Sequence, residues 1–121
     1  MKTFKKEERL TSKKIIAGLF EKGKRAKYFP VKLLWLETNL PTKFPAQVVI
    51  SIPKKKFPRA ADRNLLKRRM REAYRLHKET LYEFLRKEKK QLALMLILSG
   101  KKEVEYSEIE TKIVLTLQEI I

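Results

Sequence analysis

Apolar positions recur along the chain at two periods, and the switches between them mark the elements. From Ser12 to Glu21 the apolar residues Ile15, Ile16, Leu19 and Phe20 return at helical spacing, with Thr11 or Ser12 able to cap the segment and Gly23 able to close it. Basic GKRAK then leads outward. Tyr28 to Glu37, YFPVKLLWLE, is rich in β-formers and aromatics and predicts a strand, and NLPTKFP, with two prolines and an asparagine, predicts a turn. Gln47 to Ile52, QVVISI, is a β-branched run stopped by Pro53.

After the basic loop KKKFPR, from Lys54 to Arg59, the period changes again. From about Ala60 toward Lys89 there is no Gly or Pro, and Leu, Arg, Lys, Glu and Ala dominate, which predicts one long helix. Gln91 to Ser99 is apolar throughout its centre and predicts a buried strand closed by Gly100. The last helix is expected to start near Ser107, where SEIE has the capping-box pattern, with Ile109, Ile113, Leu117 and Ile120 or Ile121 on its apolar face. The order, roughly αββ(β)αβα, predicts a small single-domain α+β sandwich over residues 1–121, its helices packed on one central sheet.

The long helix has two faces. At about 100° per residue, Arg63, Lys67, Arg71 and Arg75 fall on a stripe that drifts about 40° per step, and Asn64, Arg68 and Lys78 lie beside or within it. Leu66, Met70, Ala73 and His77, extended by Phe84, form the opposing apolar row that should dock on the sheet. Solvated helices usually intersperse acids at i+3 or i+4, whereas Asp62 and Glu72 project away from the centre of this stripe. Four stacked cations with little neutralisation are expected to face a polyanion, since each Arg can present a two-pronged fork to phosphate oxygens. Asn64 can donate and accept at once, as a base edge, a ribose hydroxyl or a backbone turn requires; it serves equally as an ordinary polar residue of the first turns.

Composition sharpens this picture. With 30 Lys and Arg against 14 Asp and Glu, the net charge is +16 on a chain that is 43% hydrophobic, so the charge sits on a folded body. Nucleic acid is the expected partner; an anionic membrane would call for bulky apolar residues free to insert, and the longest apolar run, Leu92 to Leu98, is too short to span a bilayer. The absence of cysteine excludes disulfide and thiolate chemistry and fits a reducing, cytoplasmic setting. A single histidine, His77, excludes a His-pair metal site, and its place on the apolar row predicts a packed imidazole. Glu103, Glu105, Glu108 and Glu110 precede or open the last helix, where they complement its dipole. Trp35 is expected to anchor the sheet; Phe20 and Tyr28, with basic neighbours, suit either packing or base stacking, and Phe57 carries no assignment.

The stretch R-N-x-x-K-R-x-x-R-E-A-[FY]-R, preceded by a strand and a Lys-Lys loop, resembles the signature of the bacterial ribonuclease P protein subunits, small basic partners of a catalytic RNA. The likeness covers most of the chain, from RL and the helix ending LFEKGKR, through VVISIPKK and the basic helix, to the closing strand and helix. It implies that Lys54, Lys55, Arg63, Asn64, Lys67, Arg68, Arg71 and Arg75, with Arg59 beside them, contact the RNA subunit. It further implies that Phe20, with Tyr28, Phe29 and Lys32, lines a cleft for the 5′ leader of precursor tRNA. A left-handed crossover into the long helix is implied as well, against the usual right-handed rule. Catalysis would rest with Mg²⁺ held mainly by the RNA, none being bound by the protein alone, and the chain would act as a monomer within the ribonucleoprotein. The runner-up is a ribosomal or other structural RNA-binding protein without an enzymatic role. Leu65 replaces a third arginine common in the family, Ile16 stands where relatives often carry an aromatic, and Glu79 to Gln91 extends the long helix.

Overall fold

The computed structural model describes residues 3–99 and 105–121; Gly100, expected to close a strand, and Glu103 of the acidic group lie outside the described residues. Helix α1 spans Lys13–Lys22, and Ser12 caps it by accepting from the Ile15 N–H at 3.3 Å. Gly23 ends it, donating its N–H to the Leu19 carbonyl. A Cβ there would stand 2.4 Å from that same oxygen, so the turn out of α1 needs a residue that lacks one.

The segment expected to lead outward is instead a strand. Lys24–Tyr28 forms β1, and the run read as one strand from Tyr28 divides at Phe29-Pro30, so that β2 is Val31–Glu37. Only Ala26 of β1 is buried, which leaves no apolar alternation for sequence reasoning to detect. Pairing supplies the order: Lys24 to Tyr28 align antiparallel with Trp35 to Val31. Strand β3, Ala46–Ser51, then precedes α2, Ala60–Glu88; β4, Leu92–Leu98, and α3, Tyr106–Ile120, complete the order.

The sheet order is β1-β2-β4-β3, antiparallel except for β3 and β4, which are parallel neighbours joined through α2. Val31, Leu33, Val48, Leu94, Leu96 and Leu98 share the core with α2 and α3. Leu34, Ala93 and Met95 point the other way and pack with Leu19 of α1. Burial on both faces explains why β4 is an uninterrupted apolar run. This is the expected α+β sandwich, with helices on both sides of one sheet.

Two local expectations need correction. Helix α3 begins one residue early: its N-cap is Glu105 and no side chain caps it, while Ser107 lies inside the helix and accepts from the Thr111 hydroxyl through its carbonyl. No Ser107 capping box forms. The Glu105 carbonyl already takes the N–H groups of Glu108 and Ile109, and Glu108 in the first turn suits the positive end of the helix dipole. The buried seam of α2 also departs from the expected row. Leu66, Met70 and Ala73 are buried, but His77 and Phe84 are only half so, and the seam turns through Tyr74 and Lys78 to Tyr82. An i+4 row winds around a helix, and here it is followed because the N-terminal residues Phe4 and Glu8 cover that flank.

Candidate nucleic-acid interface

Helix α2 sets the geometry. Its apolar seam fixes the rotation of the cylinder, and the residues about a quarter turn away are thereby held outward. Asn64 and Arg68 are exposed, and Lys67 and Arg71 are half-buried along their stems. Among the described residues, Lys67, Arg68 and Arg71 have no hydrogen-bond or ion-pair partner, so no described carboxylate neutralises these neighbouring charges.

The two ends of the predicted stripe behave differently. Arg63 turns back to the loop before the helix and donates to the carbonyls of Phe57 at 2.8 Å and Pro58 at 2.9 Å. That tie joins the loop to the first turn of α2, and Phe57, unassigned from sequence, is a core residue. Arg75 is paired with Glu72, its Nε at 3.0 Å and its Nη2 at 2.5 Å from the two carboxylate oxygens. The hydrogen bond from Arg75 also holds the Glu72 carboxyl below the usual range. Four uncompensated cations were expected; at Arg75 that expectation fails, because a residue three positions before it on the helix lies within reach. Lys78 leaves the stripe altogether. It is buried, bonded to Glu8 and to the Thr3 carbonyl, at the point where the N-terminal segment crosses the helix.

Lys54 and Lys55 are exposed in the turn between β3 and α2. Arg59 is also exposed and stands 3.9 Å from Asp62. These precede the first turn of the helix whose outward side carries Lys67, Arg68 and Arg71.

The four residues assigned to a leader cleft are not all on one face. Lys32 pairs with Lys27 and Ile97, and Ile97 belongs to the α1 side of the sheet. Tyr28 pairs with Val31, which is on the α2 and α3 side, and its hydroxyl donates to Glu119 of α3. Strand alternation places neighbours on opposite faces, so Tyr28 is separated from Lys32. Phe20 is 53% exposed at the end of α1 and Phe29 is 62% exposed in the β1–β2 turn, both unusual for large apolar rings. Arg25 donates to the Phe20 carbonyl at 3.4 Å and, like Lys27, shares the α1 face with Lys32. Sequence reasoning missed Arg25 and Lys27 because their segment was read as a connector; their two-residue spacing was the available signal.

His77 sits between α2 and α3, with Nε2 2.8 Å from Glu110 Oε2. Among the described residues no group of three or more His, Cys, Asp or Glu side chains is placed to hold a metal ion. No helix among them is long and apolar enough to cross a membrane.

Fold and ridge together define a small, strongly basic α+β protein that presents cations from a helix braced by the sheet. The family model described as Ribonuclease P matches residues 4–120. The ribonuclease P protein component of Petrotoga mobilis is 32% identical over 114 residues, covering 92% of this chain and 89% of that protein. The corresponding protein of Chlorobium phaeobacteroides is 41% identical over 83 residues, and that match covers 66% of this chain but only 57% of the Chlorobium protein. Among solved structures, the RNase P protein of Thermotoga maritima aligns with a TM-score of 0.70 at 22% identity, covering 94% of this chain and 98% of that one. That of Staphylococcus aureus aligns at 0.73 and 19%, covering 95% and 96%. The chain belongs to the Ribonuclease P family.

Proposed function

We propose that this chain is the protein subunit of ribonuclease P, binding the catalytic RNA and the 5′ leader of precursor tRNA to assist endonucleolytic maturation of the tRNA 5′ end. The observation that carries this reading is the ridge. Lys67, Arg68 and Arg71, carried on a helix backed by the core and without partners among the described residues, suit phosphate oxygens better than they suit water alone. Bringing two RNAs together costs electrostatic energy, and each phosphate neutralised by a Lys or Arg releases condensed counter-ions. The ridge supplies that neutralisation toward the RNA subunit. On the α1 face, Lys32 with Arg25 and Lys27 offers a cationic floor for a single strand, with Phe20 as a stacking platform that accepts any base. Tyr28 is left out of this floor by its bond to Glu119.

The hydrolysis itself belongs to the RNA in this proposal, with Mg²⁺ held mainly by RNA oxygens, and the protein acts in the cytoplasm as a monomer within the ribonucleoprotein. Reconstitution tests it. Adding the protein to ribonuclease P RNA of the same source should restore precursor tRNA cleavage at low Mg²⁺. Unchanged cleavage together with tight binding to ribosomal RNA would assign the chain to structural RNA binding instead.

A further inference from the structure

The N-terminal segment lies across α2 as a strap at Lys78, and beyond that crossing the helix runs on to Glu88. At about 1.5 Å per residue, Leu85 stands about 21 Å along the axis from Arg71 of the ridge. Here the ends of α2 and α3 meet the sheet around a pocket of about 270 Å³, close to the lower end of the roughly 300–1,000 Å³ usual for small-molecule sites.

Strand register builds its floor. Lys24, Trp35 and Leu94 are paired across β1, β2 and β4, and Glu37 is paired with Leu92. Residues two apart on a strand share a face, so Lys24, Trp35 and Glu37 all look to the side on which Leu92 and Leu94 join the core. Phe84 of α2 and Ile120 of α3 supply the opposing wall, and both are half-buried, as Trp35 is. Two aromatic side chains from different elements thus keep part of their surface open to one recess.

The polar groups sit on different sides of the indole. Lys24 lies across from Trp35 on β1, and Lys22 ends α1; neither has a hydrogen-bond or ion-pair partner among the described residues. Glu37 is two strand positions from Trp35, about 7 Å away. Lys90 Nζ is 3.9 Å from Glu37 Oε1, too far for a hydrogen bond, so the carboxylate stays open to further donors. Among the described lining side chains, Lys22, Lys24 and Lys90 stand against the single carboxylate of Glu37, a net charge of +2.

A matching occupant pairs an aromatic ring with a dianion and offers N–H groups at the ring edge, because a carboxylate can only accept. The phosphate of a nucleoside monophosphate carries nearly two negative charges at neutral pH. Among the bases, guanine presents two adjacent N–H donors, which a carboxylate takes side by side, whereas adenine sets an acceptor next to its amino group. We infer that this pocket binds a free guanine mononucleotide, its ring between Trp35 and Phe84, its N1–H and amino group donating to Glu37, and its phosphate held by Lys22 and Lys24. None of these side chains belongs to the ridge or to the cationic floor on the α1 face, so the site stands or falls apart from the subunit reading.

Trp35 is the only tryptophan in the chain, and its fluorescence therefore reports on this pocket alone. The full chain is titrated at matched ionic strength with GMP, AMP, guanosine, inorganic phosphate and a pentanucleotide ending in guanosine. GMP should quench the indole saturably and bind at least about tenfold more tightly than AMP, the discrimination that a two-bond contact to a base edge provides. Guanosine and phosphate should each bind more weakly than GMP. Glu37→Gln, which keeps the shape but exchanges one acceptor for a donor, should cut the preference for GMP over AMP to less than about threefold. Lys24→Ala should weaken GMP about tenfold and leave guanosine unchanged. Both positions are exposed, so neither variant should unfold, and Glu37→Gln should bind ribonuclease P RNA as the wild type does. Equal binding of GMP and AMP, no saturable quenching by GMP, phosphate binding as tight as that of GMP, or a preference that survives Glu37→Gln overturns the guanine site. Quenching by the pentanucleotide but not by GMP overturns it too, and assigns the pocket to an RNA strand.

Discussion

Replacing Lys78 with methionine should remove the tie that holds the N-terminal strap. The side chain of Lys78 is 3% exposed and that of Glu8 is fully buried, so the substitution leaves a carboxylate in the core without its counter-charge. The Tyr82 hydroxyl at 2.6 Å and the Lys5 N–H at 2.7 Å remain as donors, and methionine fills most of the aliphatic volume. The cost is therefore chiefly that of one unpaired buried charge, about 3–5 kcal/mol. Domains of this size are stable by only about 5–15 kcal/mol. Thermal unfolding followed by circular dichroism should then show a Tm lowered by about 10–20 °C. Adding Glu8→Gln in the same chain should recover much of the loss, since the orphaned charge is removed.

The pH dependence supplies an independent check. Burial alone would raise the Glu8 carboxyl, but the Lys5 N–H, Lys78 and Tyr82 outweigh it and hold the group below its ordinary 4.5. A carboxyl depressed on folding stabilises the protein above its unfolded value, and that contribution is lost as pH falls through the lower folded value. The difference between wild type and Lys78→Met should thus be fully present near neutrality and shrink as pH drops below about 4.5. A Tm loss of less than about 3 °C, or a difference that does not vary with pH, would refute the argument that this pair pins the strap.

The double variant Arg68→Ala and Arg71→Ala should fold with wild-type stability, because neither side chain has a partner among the described residues, while RNA binding weakens and its salt slope falls by about two. Equilibrium binding at several salt concentrations measures this, and unfolding of the variant would mean that the ridge is structural. Phe20→Ala should reduce affinity for precursor tRNA with a long leader and leave mature tRNA unaffected; equal losses for both would remove Phe20 from the leader path. All four tyrosines are held above the ordinary phenol value of 10, Tyr74, Tyr82 and Tyr106 first by burial and Tyr28 first by its bond to Glu119. Stability from these groups is complete below pH 10 and is lost as pH rises further, so an absorbance titration should show phenolate appearing mainly with alkaline unfolding. Half-ionisation at pH 10 in the folded protein would contradict it.

Much of this protein was determined by local pattern. Helix α1 with its Ser12 cap, the β-branched β3, the doubly buried β4 and the uninterrupted α2 all follow from periodicity and from where Gly, Pro and Ser stand, because each residue's preference agrees with its neighbours. Charge density and the spacing of Lys67, Arg68 and Arg71 likewise placed an outward ridge on α2. Other features depend on partners distant in sequence. β1 exists because β2 offers it a ladder; the two-residue spacing of Arg25 and Lys27 hinted at a strand, but no apolar alternation backed it. Lys78 was drawn into the core by Glu8, 70 residues away, and Tyr28 was turned toward α3 by its register with Val31. Arg9 was brought to the edge of β3 only by the bridge between the N-terminal segment and Val48. A helical wheel reports angles about one axis, and it holds no information about which element will cover which side. That is settled when the chain closes on itself and buried charges must find their partners.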